Sequence, residues 1–398
     1  MVFLDLMLDG SGRALPERAT VKSPAAISRF LNHASWDTRK LCRMLREHAL
    51  QALQSLYRQN PGHRPRLELL MDLTSLEKTG KFAALTDWVH TYNGVHGVHL
   101  VVLYLCCGPL RLPWAFQIWR GKGTPSPAQL ALKLLRTVPA ALLKVKRTPR
   151  LHADGGFESA EFIQGVLAKG LDIVIGVRCS RKLEDDRSVQ EILTRGEMVK
   201  PRGLRQPMCL SWVWLYRNDE PEQRFVMSNL NLGGKYLARV GKRRWRIEAF
   251  FKTIKGRFGL ERFAQHSKRA SVLMRSSVVF LGRTDPHQGP ARNRAALTKT
   301  GAVLAKTQFA GLNDCQSRQV EALHFHWNMA LMAVSAARLG QLRDQRAGPL
   351  VFSMEDEKRR AYNEFFAARI LSILTLEQTD QKREDLLADL LLLGVKAA

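Results

Sequence analysis

Apolar residues follow two different spacings along this chain of 398 residues. From about residue 24 to 58, leucines recur at roughly helical intervals, and Ser23 with Pro24 provides a cap and a first-turn proline. A break near residues 32–36 divides this stretch into two predicted helices. From about residue 66, short apolar runs separated by turn residues are typical of β-strands. The pattern therefore predicts a helical N-terminal unit followed by a sheet.

The apolar runs after residue 66 predict elements in the order β-β-β-α-β-α-β. These elements are LELLMDLTS, GVHLVVLYLCC, LPWAFQIWRG, PSPAQLALKLLRTVPAALLKV, RLHADGG, FESAEFIQGVLAKG and LDIVIGVRC. Three strands that can form a meander, followed by strands joined through helices, predict a mixed sheet with helices against its faces. The expected fold class is α/β.

Residues 180–240 interrupt this alternation of strands and helices. Two predicted strands there, MCLSWVWLYR and QRFVMSNL, flank the turn residues NDEPE and indicate a β-rich insertion. The N-terminal helices either read DNA as a helix-turn-helix or pack as a plain pair, because their turn has no distinctive glycine. The expected organisation is an N-terminal helical unit (1–62), an α/β domain (63–280) with the insertion at about 180–240, a loop or linker (281–315) and a C-terminal helical region (316–398).

The net positive charge of the chain indicates which class of molecule it binds. The chain carries 62 Lys and Arg residues against 36 Asp and Glu residues, a formal net charge of +26. Such a field concentrates polyanions, and nucleic acid fits better than a membrane surface or an acidic protein. The basic residues run through sequence typical of folded domains rather than through a low-complexity tail, which argues against a ribosomal-type protein. DNA or RNA is thus the expected partner.

Cysteine and histidine patterns indicate neither a disulfide framework nor a zinc site. The six cysteines include no CxxC pair, and His324 and His326 point in different directions on a predicted helix. We interpret both histidines as core or DNA-facing residues. The N-terminus lacks the basic segment of a signal peptide, and the longest apolar run, Val98–Leu110, is too short to span a bilayer. A cytoplasmic, nucleoid-associated protein without a membrane partner is expected.

The most basic segment contains an isolated acid. Residues Gly241–Arg269 include ten Lys or Arg residues and two acids. If the segment is a helix, Arg244, Glu248 and Lys255 lie within about 40° of one another on one face. A carboxylate between two cations on one stripe suits a metal ligand beside phosphate contacts. The segment therefore bears on function more than any other.

Two more carboxylates, Asp72 and Asp154, each end a predicted strand. With Glu248 they come from separated elements and can converge only through the fold. Converged carboxylates would bind hard cations, and two Mg²⁺ ions about 3.5–4 Å apart support an in-line phosphoryl displacement. Each residue also has a structural alternative. The aspartates could be strand-end or turn carboxylates, and Glu248 could form an i, i+4 salt bridge with Arg244 or Lys252.

Three motifs resemble those of the DDE transposases of bacterial insertion sequences. MDLTSLEKTGK is similar to the first-Asp motif, HADGGFES to the second-Asp motif, and RWRIEAFFKTIKG to the Glu-helix motif. The resemblance points to the branch whose RNase H-like catalytic domain carries a β-strand insertion. That branch has a Tyr-Arg-Glu-Lys signature, which Arg244, Glu248 and Lys255 match in spacing, whereas Gly241 stands at the tyrosine position.

The resemblance implies an activity and a set of ligands. It implies Mg²⁺-dependent hydrolysis at element ends, followed by transfer of the freed 3′-OH into target DNA, with Asp72, Asp154 and Glu248 as catalytic metal ligands. It also implies two Mg²⁺ ions, for which Mn²⁺ is expected to substitute, and a homodimer on paired double-stranded ends with terminal inverted repeats. Two alternatives stay open: a decayed transposase that binds DNA without cutting, motivated by Gly241, and an RNase H-like nuclease.

Other basic and aromatic residues are candidates for DNA contacts. Arg244 and Lys255 are expected to contact the phosphates flanking the scissile bond. The remaining basic candidates, either general DNA contacts or solvated charges, are Lys242, Arg243, Arg246 and Lys252. Trp212 and Trp214 share one face of a predicted strand. They either stack on a flipped base, as the resemblance suggests, or pack beneath the insertion, which we favour.

Overall fold

The computed structural model describes residues 37–62, 64–77, 87–143, 147–217, 220–257 and 320–347. Its helices are α1 (Thr38–Gln59), α2 (Pro127–Leu135), α3 (Ala140–Leu143), α4 (Ala160–Leu167), α5 (Gly234–Gly241), α6 (Trp245–Arg257) and α7 (Val320–Ala347). Its strands are β1 (Leu67–Glu77), β2 (His90–Tyr92), β3 (Val95–Cys107), β4 (Leu110–Trp119), β5 (Arg150–Ala153), β6 (Asp172–Val177), β7 (Glu197–Val199), β8 (Met208–Arg217) and β9 (Glu220–Ser228).

The strands of these ranges form one mixed sheet of nine strands in the order β2-β3-β1-β5-β6-β9-β8-β7, with β4 also paired to β3. Strand β1 is antiparallel to β3 and parallel to β5, and β5 is parallel to β6. The hairpin β8–β9 and the short β7 continue the sheet in antiparallel pairing beyond β6. An antiparallel meander followed by parallel strands, with helices on both faces, confirms the predicted α/β, RNase H-like fold class.

Side-chain alternation along β1 divides the core between the two faces of the sheet. Leu67, Leu69 and Met71 belong to the apolar cluster that includes α1, α2 and α4. Leu70 belongs to the opposite cluster, with buried residues of α6 and α7. We call this second side the α6 face. Glu68 and Asp72 have the same parity as Leu70, so β1 presents two acids to the α6 face.

Local sequence signals explain where the connecting helices begin. Ser126 precedes α2 and forms a capping box, because its side chain accepts from the Gln129 backbone while the Gln129 side chain accepts from the Ser126 backbone. Ser159 caps α4 by accepting from the Phe162 N–H at 3.2 Å. These helices cover the face opposite α6 and leave the α6 face to the acids.

Sequence analysis missed strand β2. It forms a tight hairpin with β3 in which Tyr92 pairs with Val95. The two turn residues, Asn93 and Gly94, have φ values of 48° and 78°. Positive φ at both positions matches a type I′ turn, for which Asn-Gly is the strongest short-range signal. The dipeptide was therefore a usable predictor, and it brings Tyr92 toward the site described below.

Some sequence-based expectations fall outside the described residues. These are the first of the two N-terminal helices, the loop or linker at 281–315, and the C-terminal region beyond residue 347. The second N-terminal helix is α1, and its Asp37 cap accepts from the Lys40 N–H at 2.9 Å. In the ranges that the structure covers, no helix is long and apolar enough to cross a membrane.

The close approach of β1 and β3 near Gly97 supplies a test of this sheet. An added Cβ at Gly97 would lie 2.1 Å from the Leu76 carbonyl oxygen, a backbone atom that cannot move aside. We expect Gly97→Ala to lower the free energy of unfolding by about 1–3 kcal/mol in urea denaturation. Gly62→Ala is the control, since nothing lies within 4 Å of its added Cβ. Equal midpoints for the two variants would contradict the register of this strand pair.

Candidate active site

Three acids from separate elements meet on the α6 face. Asp72 lies on β1, and Asp154 follows directly after β5. The two strands are parallel neighbours with Met71 beside Ala153, so the next residue of each points to the same side at the same level. Glu248 lies on α6, which packs against the α6 face through buried Ile247, Phe250, Phe251 and Ile254. The fold therefore brings together the acids that the motifs single out.

All three acids contact one guanidinium, that of Arg244. Its Nη1 lies 2.9 Å from Asp72 Oδ2, its Nη2 lies 2.7 Å from Glu248 Oε1, and its Nε lies 3.7 Å from Asp154 Oδ1. Asp72 is only 9% exposed and also accepts from the Leu73 N–H at 2.8 Å. The guanidinium is thus the cation that holds the three carboxylates together.

Burial and mutual repulsion act on this group of charges. Burial raises the pKa of Asp72 to about 7, and the Asp154 and Glu248 carboxylates add to the increase, while Arg244 opposes it. Burial disfavours the charged form of Arg244, yet the three carboxylates hold its pKa above the usual range. Without a cation among them, the acids would not remain ionised side by side.

The donor set suits a hard divalent cation. Three carboxylates offer only oxygen ligands, which Mg²⁺ and Mn²⁺ prefer. The guanidinium occupies the position that such a cation would share among these oxygens. As arranged around Arg244, no group of three or more His, Cys, Asp or Glu side chains in the described ranges could hold a metal ion. The donor set fits a divalent cation, and Arg244 occupies the oxygens that would hold it.

Two of the three acids open onto a cleft of about 590 Å³ between the sheet and the α5–α6 segment. Asp154, Arg244 and Glu248 line it, and Val213 and Leu215 of β8 form part of its wall. Basic side chains from three further places line the same cleft: Arg178, Arg224 and Lys242. Arg224 is paired with Glu222, which also lines the cleft, and Arg178 is paired with Glu158. Cations along such a cleft attract a polyanion.

Comparison with known proteins now identifies the family. The family model described as Transposase DDE domain matches residues 63–280, more than half of the chain. The chain belongs to this transposase family. DDE transposases are enzymes that act on DNA by phosphoryl transfer.

A solved structure similar to this DDE transposase chain is a cryo-EM structure of a piggyBac transposase synaptic complex with hairpin DNA. The two chains share 9% sequence identity with a TM-score of 0.43, over 98% of this chain and 74% of the other. No curated protein matches the chain.

The structure places the predicted basic residues of the transposase in different surroundings. Lys255 donates to the Ser75 carbonyl oxygen at 2.8 Å and so lies beside β1. Lys252 is exposed on α6. Arg243 and Arg246 are not simply solvated, because both contact the buried carboxylate of Glu68. Their predicted role in binding DNA, like that of Lys252 and Lys255, stays a prediction.

The two predicted tryptophans lie away from the acids. Trp212 is 8% exposed and packs against Phe225 at 6.1 Å between ring centroids, which supports the packing alternative for this residue. Trp214 is 51% exposed. Both alternate with Val213, whose side of β8 faces the cleft, so they lie on the opposite face of the sheet. A base stacked on Trp214 would be on the far side of the sheet from the acids, and base stacking itself stays a prediction.

Gly241 and His324 are also placed by the fold. Gly241 lines the cleft, and a Cβ added there would lie 3.1 Å from the Val226 side chain, so a tyrosine would require a shift of the cleft wall. His324 stacks on Phe116 at 5.3 Å between ring centroids, and burial lowers its pKa to about 4. His324 is therefore a core residue, whereas the His326 side chain lies outside the described part.

Sequence analysis missed two groups of residues at this site. Tyr92 lines the cleft, and only the Asn-Gly turn pointed to its strand. Glu68 and His152 are buried on the α6 face, four residues before Asp72 and two before Asp154. The available signal was an even number of residues between each of them and Asp72 or Asp154, because residues i, i+2 and i+4 of a strand share a face.

Removing the shared cation tests its role. We expect Arg244→Ala to destabilise the metal-free protein by about 1–3 kcal/mol, because three carboxylates lose their common partner. The measurement is urea denaturation in EDTA, and exposed Lys252→Ala on the same helix is the control, with an expected change within about 0.5 kcal/mol. Adding Asp72→Asn to Arg244→Ala should recover part of the loss by removing one of the repelling charges. Equal losses for Arg244→Ala and Lys252→Ala would contradict this role.

Proposed function

We propose that the chain is an active DNA transposase that hydrolyses a phosphodiester at the ends of its element and joins the freed 3′-OH to target DNA. The observation that carries the proposal is the convergence of Asp72, Asp154 and Glu248 on one guanidinium at the wall of a basic cleft. In a member of the DDE family, that convergence supports these three acids as the catalytic residues.

Each acid is assigned a position by its element. Asp72 and Asp154 are fixed by neighbouring parallel strands, and Glu248 by a helix buried along its apolar side. These three carboxylates would hold the divalent cations. Two Mg²⁺ ions, or Mn²⁺ in their place, would supply activation of the attacking oxygen and stabilisation of the leaving oxygen. The buried setting of Asp72 excludes water from one side of the site.

Arg244 and Lys255 are assigned to the substrate phosphates. Arg244 presents a planar fork that binds carboxylate and phosphate equally well, so it has two candidate partners in the cleft. Lys255 is held beside β1 by its bond to the Ser75 carbonyl, three residues beyond Asp72. A phosphodiester next to Asp72 and Asp154 would thus meet a cation on each side. Lys252, Arg243 and Arg246 would add sequence-independent attraction.

The partners follow from this activity. We propose double-stranded element ends with terminal inverted repeats and a target duplex as substrates, bound by a homodimer in the nucleoid. The proposed domain boundaries are those expected from the sequence: a helical unit at 1–62, the catalytic domain at 63–280 with an insertion at about 180–240, a linker at 281–315 and a helical region at 316–398. Helix α1 of the first unit packs on β4 and α7.

The glycine at position 241 favours a second candidate function. Gly241 leaves the signature tyrosine position without a side chain, and Val226 lies 3.1 Å from where its Cβ would be. If phosphate capture depended on that side chain, the protein would bind DNA ends without cutting them. A decayed, DNA-binding transposase is therefore the alternative, and a nuclease that cuts without joining is a further outcome of the same experiment.

Cleavage and joining of DNA test the proposed function. The substrates are duplexes copied from the sequence bordering the reading frame, incubated with Mg²⁺ or Mn²⁺ and a target plasmid. We expect Asp72→Asn, Asp154→Ala and Glu248→Gln each to lower cleavage by at least about a thousandfold, since metal ligands support several kcal/mol of transition-state stabilisation. Product is measured on denaturing gels.

The control for this assay is Glu161→Gln, an exposed acid on α4 that does not line the cleft. It should cleave like the wild type. Undiminished cleavage by the three active-site variants would overturn the assignment of the acids. Binding without cleavage in either metal would favour the decayed transposase, and cleavage without joining would favour the nuclease.

The basic lining of the cleft gives a separate prediction for DNA binding. Arg224→Gln should weaken binding of unrelated duplexes to a similar extent and reduce the slope of log K against log salt by about 1, because one phosphate contact is lost. The readout is fluorescence anisotropy across a salt series without divalent metal. Arg187→Gln is the matched control, since both arginines pair with an acid two residues away and only Arg224 lines the cleft. An identical slope change in both variants would contradict a DNA path through the cleft.

A further inference from the structure

A fourth acid on the α6 face has no role in the proposed chemistry. Glu68 lies on β1 four residues before Asp72, on the same side of the strand, and is 5% exposed. A carboxylate is rarely buried to this extent unless it is paired. The pairing of Glu68 therefore indicates what its burial accomplishes.

Glu68 binds both arginines that flank the start of α6. Its Oε1 accepts from Arg243 Nη1, and its Oε2 accepts from Arg246 Nη1 at 2.9 Å. Each carboxylate oxygen thus has its own guanidinium. Arg243 belongs to the 3₁₀ turn Lys242–Arg244, and Arg246 to the first turn of α6. One side chain of β1 consequently ties down the segment that carries Arg244 and leads to Glu248.

The strand that leads to Asp154 reaches the same carboxylate. His152 is fully buried, and its Nε2 lies 3.7 Å from Glu68 Oε1. Arg150 is buried beside Glu68 in the β1–β5 register. Burial alone would raise the pKa of Glu68, but the Arg243 guanidinium opposes it and holds the pKa of that carboxyl below its usual range. Burial also lowers the pKa of His152. Glu68 is therefore an anion surrounded by groups from β5 and the start of α6.

The contacts of Glu68 join the same three elements that carry the three acids of the candidate active site. Asp72, Asp154 and Glu248 come from β1, the end of β5 and α6. Glu68, His152 and Arg246 come from the same three elements, displaced by four, two and two residues. Apolar packing of α6 is non-directional. Two charge-assisted hydrogen bonds to the two oxygens of one buried carboxylate fix both the position and the rotation of the helix start.

We propose that Glu68 is a positioning residue that sets the start of α6, and with it Glu248 and Arg244, against Asp72 and Asp154. The inference rests on the proposed function, in which these acids hold the divalent cations. Glu68 itself touches neither the substrate nor the cations. Its effect on catalysis passes through the placement of the helix.

Glu68→Gln removes the charge at constant size and is the main variant. Asp172→Asn is the matched control, because Asp172 is also a buried acid on this sheet, is 8% exposed, and has an arginine partner, Arg66, at 3.9 Å. The first readout is amide hydrogen exchange of the full-length, metal-free protein. We expect exchange in α6 about tenfold faster in Glu68→Gln, with no change in α2, because charge-assisted bonds at one helix start are lost. Asp172→Asn should leave α6 unchanged.

The second readout is Mn²⁺ binding, measured without DNA by electron paramagnetic resonance of the free ion. We expect Glu68→Gln to bind Mn²⁺ about tenfold more weakly, the lower end of the effect of altering the surroundings of metal ligands. Glu68→Asp, which keeps the charge, should recover part of the affinity. Should Glu68→Gln fail to fold, Arg246→Gln removes one of the two contacts from a partly exposed side chain and is expected to change both readouts in the same direction.

The outcomes separate this inference from the proposed function. Wild-type affinity for Mn²⁺ and unchanged exchange in α6 would overturn the role of Glu68 while leaving the transposase activity intact. Faster exchange in α6 in a protein whose wild type cleaves DNA and binds Mn²⁺ supports it. A wild type that neither binds Mn²⁺ nor cleaves would overturn the proposed function, and with it the catalytic meaning of the positioning.

Discussion

Like charges on one face of a sheet are the constraint around which this structure is organised. Asp72, Asp154 and Glu248 lie close together, and burial, with the repulsion of the other two carboxylates, raises the pKa of Asp72. Arg244 resolves the conflict because a single guanidinium has enough donors to reach all three. The Arg244 guanidinium stabilises the metal-free site by binding the three carboxylates. A divalent cation would have to replace it at the same oxygens.

The alternation of side chains along β1 and β5 explains why the charged groups on the α6 face form two levels along these strands. Because β1 and β5 are parallel neighbours, even-numbered residues of both strands reach the α6 face. The lower level, with Glu68 and His152, is buried and fully enclosed by protein. The upper level contains Asp72 and Asp154, of which Asp154 lines the cleft. Burying the charged groups around Glu68 costs free energy. In our proposal their contacts position the start of α6 rather than stabilise the fold.

Much of the fold followed from local patterns, whereas the site followed only from the motifs. Apolar runs such as GVHLVVLYLCC and LDIVIGVRC carry enough information to predict their strands, and RWRIEAFFKTIKG predicts a helix. The position of β2 depended on a two-residue turn that the hydrophobic pattern does not register. Each acid could be selected by its motif, yet its contact with Arg244 depends on the packing angle of α6, which no local pattern specifies.

The same limit applies to residues whose surroundings the sequence alone does not specify. Arg243 and Arg246 look like surface charge because they lie in a strongly basic run, and their partner is 175 or more residues away in the sequence. Trp212 and Trp214 share a strand face, but which way that face points depends on how β8 joins β9 and β6. Long-range pairing, rather than local preference, decides these outcomes.

The continuity of the sheet has a mechanical consequence. One wall of the cleft is built on β6, β9 and β8, which are joined to β5 and β1 by an unbroken ladder of backbone hydrogen bonds. Widening the cleft on that side would break several of these bonds at once. The other wall, α5 to α6, is helical and contributes no strand to this ladder. A change in the width of the cleft on the α5–α6 side would therefore shift Arg244 and Glu248 relative to Asp72 while leaving the strand ladder intact.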